Sequence, residues 1–112
     1  MATDLPALSA RLRAAEAATA DDALPALCRT FAGHDDARAW LFELGGDPRV
    51  SIDAALALVR AVEPALGLEI YTGRDGSRVR TVSAEHIGEW LSCATLPLAL
   101  CLALVEWKVK HG

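Results

Sequence analysis

Few residues in this chain have the types and spacing that chemistry requires. His86, Glu89 and Cys93 recur at spacings of three and four, which on a helix would gather an imidazole, a carboxylate and a thiol on one face. Those donors suit zinc. Three ligands from one helix rarely surround an ion, however, and no second pair with metal-site spacing accompanies them. The apolar neighbours of Cys93 would raise its thiol pKa and quench its reactivity. The expected roles are therefore an interfacial histidine, an exposed glutamate and a core cysteine, with no metal.

Two acidic clusters invite a similar test. His34-Asp35-Asp36 could be imagined around a cation, and Asp21-Asp22 as paired carboxylates for acid–base work. Both precede apolar helical stripes, where carboxylates satisfy free N–H groups and complement the helix dipole, so capping is the expected role of each. Gly73 and Gly76 lack the lysine and the following helix of a phosphate loop, and no serine sits in a nucleophile-elbow context. No cofactor is implied, and the chain is expected not to be an enzyme.

Arginine and tyrosine give a better clue. Tyr71, Arg74, Arg78 and Arg80 fall within ten residues of an otherwise acidic chain. Residues 1–66 carry ten acids and six arginines, whereas residues 67–112 carry five of each sign. Exposed arginine beside tyrosine is the composition of surfaces that bind something. The blander alternative is a solvated strand face on which arginine covers tyrosine.

The elements that must position these groups follow from composition and punctuation. The 112 residues are the length of one domain, read as residues 1–112, and at 53% hydrophobic and 23% charged the chain is too apolar to remain unfolded. Twenty-two alanines favour helix, and nine arginines against two lysines suit the GC-rich coding of a bacterium or phage. The start Met-Ala-Thr-Asp-Leu-Pro has neither a basic region nor an apolar run, which sets a cytoplasmic expectation. Cys28, Cys93 and Cys101, odd in number and without CxxC spacing, agree with reduced thiols. Trp90 to Val105 is free of charge but too short to span a bilayer comfortably.

Start and stop signals predict a mainly α (α+β) domain of about six helices with one β-hairpin near residues 68–82. Asp4 precedes Leu5-Pro6 and a first helix fading near Thr19; Asp21-Asp22 precede a short second one ending at Gly33. Asp35 or Asp36 opens a third, which Gly45-Gly46 stops, and Ser51 opens a fourth, with Ile52, Ala55, Leu56, Val59 and Val62 on one side. Residues 68–82 read as two strands around Asp75-Gly76. That turn would pair Thr72 with Val79 and Tyr71 with Arg80, leaving Ile70, Thr72, Val79 and Thr81 inward and Glu69, Tyr71, Arg78 and Arg80 outward. Ser83 is expected to cap a fifth helix from Ala84 to about Ala94. Leucines at 96, 98, 100, 102 and 104 then alternate as in a strand, but leucine and alanine without β-branching favour a sixth helix, apolar on all sides. Leu100 and Leu102 should be buried, centrally or against a second subunit through residues 96–107.

The functional expectation is a small, acidic, non-enzymatic protein-binding domain, an adaptor, inhibitor or immunity-type protein that docks or occludes a protein partner. The alternative is a winged-helix-like nucleic-acid-binding regulator with Arg74, Arg78 and Arg80 as its wing. Net charge −4 weighs against the latter, as does a fourth helix offering only Asp53, Arg60 and Glu63. No family motif is legible.

Overall fold

The computed structural model describes residues 4–15, 23–74 and 76–111. Among them the chain forms a small α+β domain: helices α1 (Leu5–Ala14), α2 (Ala23–Phe31), α3 (Ala37–Leu44) and α4 (Ile52–Val62), strands β1 (Gly67–Gly73), β2 (Gly76–Val82) and β3 (Leu91–Ser92), and helix α5 (Leu96–His111). Asp21, Asp22 and Asp75 lie outside the described residues. The first helix, expected to fade near Thr19, ends earlier, at Ala14, where Ala15 turns to an extended conformation (φ −75°, ψ 140°).

Local chemistry starts and stops the helices much as the residue types dictate. Asp4 accepts from the Ala7 N–H at 3.2 Å, Asp36 from Ala39 at 3.1 Å and Ser51 Oγ from Ala54 at 3.2 Å, so each side chain satisfies a donor that the first helical turn leaves open. Gly45 ends α3 at φ 79°, a left-handed conformation that glycine enters without steric cost.

α5 is the centre of the molecule. Pro97 to Val105 are buried without interruption, and Leu98, Leu100, Leu102 and Leu104 are each 0% exposed. A two-residue step on a helix turns about 200°, so the successive leucines of this run point in widely different directions and the helix needs cover all round. One side, through Leu98, Cys101, Leu102, Leu104 and Val105, joins Leu8, Leu12, Leu27, Trp40 and Leu58 from the other four helices. The other side, through Ala99, Leu100 and Ala103, meets Ala55 and Val79. Ala99 and Ala103 are one turn apart, and their small side chains let the sheet come close. The apolar sides of residues 97–105 are thus covered within one chain.

Polar ties hold the middle and the C-terminal end of α5. Ser9 Oγ and Arg13 Nη2 both donate to Glu106 Oε1, the latter at 3.2 Å, joining α1 to α5, and Lys108 pairs with Glu63 at 3.0 Å. In the loop before α4, the half-buried Asp47 accepts from the Arg49 backbone at 2.9 Å and from its Nε at 2.9 and 3.1 Å. Cys101 donates its thiol to the Pro48 carbonyl at 3.3 Å, fastening that loop to α5.

Two expectations need correction. Among the described residues there are five helices rather than six: residues 84–94 are not helical, because Gly88 and its neighbours complete the open side of β2 instead. Gly88 N–H donates to the Thr81 carbonyl at 2.8 Å, Ile87 bridges Val82, and Leu91 pairs with Val79, giving an antiparallel sheet in the order β1-β2-β3. The hairpin register also differs, pairing Tyr71 with Arg78, Ile70 with Val79 and Thr72 with Ser77, so Gly73 and Gly76 close the turn. The shift is by two residues, which moves every partner yet leaves every side chain on its expected face.

Candidate functional site

The outward face of the sheet is built by alternation. β1 contributes Glu69 and Tyr71, β2 contributes Arg80 and Arg78 directly opposite, and β3 sets Ser92 beside Arg78, which places Trp90 beside Arg80. Inward stand Ile70, Val79 and Leu91. Val79 and Leu91 pack against α5, and that apolar anchoring fixes which way the other set points.

Each arginine on this face covers an aromatic ring. Arg78 Cζ lies 5.3 Å from the Tyr71 ring centre and Arg80 Cζ 4.5 Å from that of Trp90. Both distances suit cation–π attraction. The two arginines are not equivalent. Arg78 is exposed, whereas the Arg80 side chain is 27% exposed and donates through Nη2 to Glu69 at 2.8 Å. Arg80 Nε is buried and, among the described residues, has no acceptor. Arg80 therefore braces the face as well as presenting charge. Tyr71 is 53% and Trp90 40% exposed, and Arg74 stands exposed at the hairpin end. The structure thus brings Tyr71, Arg78 and Arg80 together on one face with Arg74 at its end.

Trp90 escaped the sequence reading. Assigned to a helix, it had no reason to meet Arg80, and only the pairing of β3 with β2 puts it there. The signal available was the alternation in Trp90-Leu91-Ser92, one apolar inward residue between two outward ones.

The His86–Glu89–Cys93 constellation is not assembled. Without a helix, Cys93 turns to the Leu12 carbonyl at 3.5 Å, where burial pushes its thiol up to about 11. His86 instead lies edge-on to His111 at 5.7 Å, and His111 stacks on Trp107 at 3.9 Å. These three line an open cleft of about 360 Å³ with Ser83, Ala84 and Glu85. Glu89 lines an adjoining recess with Arg13, Glu106 and Lys110. Glu106 is held below the usual carboxylate range chiefly by the Ser9 hydroxyl, which donates to it.

His34-Asp35-Asp36 is local architecture. Asp36 caps α3, His34 Nδ1 accepts from the Asp36 N–H at 3.1 Å, and Asp35 pairs loosely with Arg29 at 3.7 Å. Cys28 donates to the His34 carbonyl at 3.1 Å, and burial followed by the nearby Asp35 and Asp36 charges raises its pKa. Cys101 is pushed to about 12, first by burial. Among the described residues no group of three His, Cys, Asp or Glu side chains could hold a metal ion, and no helix is long and apolar enough to cross a membrane. No protein-family model, curated protein or solved structure matches this chain.

Proposed function

We propose that this chain is a non-enzymatic protein-binding domain that receives an acidic surface of a partner protein on its outward sheet face, as an adaptor, inhibitor or immunity-type protein does by docking or occlusion. The observation that carries the reading is the double stack of Arg78 on Tyr71 and Arg80 on Trp90 on a molecule of net charge −4. Stacked rings hold the guanidinium groups in place, so less side-chain entropy is lost when a carboxylate arrives. Arginine and large aromatics are also the residues that dominate binding energy at protein interfaces.

A second reading, a nucleic-acid ligand, draws on the same exposed rings and arginines, since bases stack on such platforms. The net negative charge opposes it. Capture of partners from the source cell with wild-type chain and with Arg74→Glu combined with Arg78→Glu separates the two. Arg80 is left intact because it braces Glu69 and Trp90. The double reversal should change folding stability by no more than about 0.5 kcal/mol, while costing about 2–5 kcal/mol of binding to an acidic protein. Equal capture by both chains would sink the proposal. Wild-type binding to DNA or RNA that falls steeply with salt would establish the second reading instead.

A further inference from the structure

β1 has a free side. It is the edge of the sheet, and α5 packs chiefly on β2 and β3 rather than on it. Ile70 is 43% exposed on one face of the strand and Tyr71 53% on the other. Natural edge strands are usually blunted by charged side chains, lysine above all, or by proline, a bulge or shortness. β1 is seven residues long, contains neither lysine nor proline, carries one charge, Glu69, and pairs with β2 without interruption.

The register shows which backbone groups are open. The Thr81 carbonyl accepts from Gly88, on the side of β2 away from β1. In an antiparallel ladder the N–H and C=O of one residue point to the same side, and successive residues alternate. Ser77, Val79 and Thr81 therefore turn away from β1, and the residues opposite them, Thr72, Ile70 and Leu68, turn their own N–H and C=O groups to the open edge.

We propose that β1 pairs with β1 of a second copy of this chain, antiparallel about a two-fold axis at Ile70, so that the two three-stranded sheets become one. This register sets Ile70 against the second copy's Ile70 and Leu68 against its Thr72, so the residues with open backbone groups are those that exchange hydrogen bonds. It engages the whole strand, from Gly67 opposite the second copy's Gly73. On the outward face, Glu69 stands opposite the second copy's Tyr71, beyond which comes that copy's Arg78. The row then runs Trp90, Arg80, Glu69, tyrosine, arginine, and no two like charges face each other. A two-fold axis at Glu69 would instead oppose two carboxylates and bring together backbone groups already bonded to β2. Self-complementarity of this kind is what a symmetric pair requires, and it is the reason to name a second copy rather than a foreign strand. The inference does not depend on the proposed partner of the outward face.

Sedimentation of the full chain from micromolar to near-millimolar concentration tests it. Wild type should move from 11.9 kDa toward twice that mass. Ile70→Lys opposes two ammonium groups, and Ile70→Pro removes an N–H that faces the open edge and so spares the ladder with β2. Because symmetry presents each change twice, either should weaken the pair by about a hundredfold or more. Ile70→Cys should cross-link two copies on oxidation, since residues opposed in a bonded pair lie about 5.5 Å apart at Cα, within disulfide reach. Tyr71→Cys, opposed to glutamate in this register, should not. A wild type that stays monomeric at near-millimolar concentration overturns the proposal. So does equal cross-linking of the two cysteine variants, which also decides the matter should the lysine or proline variant fail to fold.

Discussion

Residues 83–95 and 96–111 adjoin in sequence, and both carry helix-start chemistry, yet only the second is a helix. Thr95 Oγ1 accepts from Leu98 N–H at 3.4 Å, and the leucine–alanine run that follows can be covered on every side by four helices and a sheet. Ser83, by contrast, does not cap a helix: its backbone and hydroxyl bond to His86 in a turn. The helix expected beyond it would have had Gly88 at its middle, at a cost of about 1 kcal/mol relative to alanine. It would also have left the far side of β2 unpaired. A cap permits a helix, but what the chain packs against decides whether it forms.

The largest effect that should separate the two segments is Leu100→Ala. The side chain is fully buried between α5 and the sheet, so its truncation should cost about 2–5 kcal/mol, read as a lowered urea midpoint with the slope unchanged. A negligible change would mean that α5 is not the interior of the free protein.

Next comes Asp47→Asn, which tests the loop that Cys101 fastens to α5. Burial by itself raises the Asp47 pKa, but the side-chain and backbone hydrogen bonds from Arg49, with its charge, outweigh burial and leave the carboxyl below its ordinary value. A carboxyl whose folded pKa is depressed contributes stability at pH above its unfolded value, about 3.9; that contribution is lost as pH falls through the folded value. The variant should therefore lose about 1.5–3 kcal/mol at pH 7 and progressively less as the solution is acidified below pH 4. A loss independent of pH would show that packing rather than charge holds this loop.

The smallest effect has the most telling sign. In a helix, Gly88→Ala would stabilise by about 1 kcal/mol. In the observed sheet an added Cβ would meet Thr81 Oγ1 at 2.6 Å, so the same change should destabilise by about 1–3 kcal/mol. Chemical denaturation reads the sign directly, and a gain in stability would restore the helix to residues 84–94.

Much of the architecture was legible because it rests on local chemistry. The caps at Asp4, Asp36 and Ser51 and the stop at Gly45 are side-chain or conformational properties of single residues, so reading residue types was sufficient. The inward and outward sets of the hairpin were legible too, since period-two alternation survives a two-residue slip. The register itself was not, because an Asp-Gly pair favours a turn without requiring that it lie at the centre. Of the candidate site, Tyr71, Arg78 and Arg80 were visible in sequence, whereas Trp90 was not, since its neighbour on the face lies in another strand.

Sequence by itself determined the starts of α1, α3 and α4, the stop of α3, the alternation that turns the arginines outward and the need of residues 96–105 for burial, for these follow from propensity, capping and side-chain polarity within a few residues. Tertiary structure alone decided that residues 83–95 would extend a sheet, that Trp90 would lie beneath Arg80, and that β1 would be left with an open edge. Each of those outcomes depends on where unsatisfied backbone groups and uncovered apolar surface elsewhere in the chain find their partners, and no local stretch of residues contains that information.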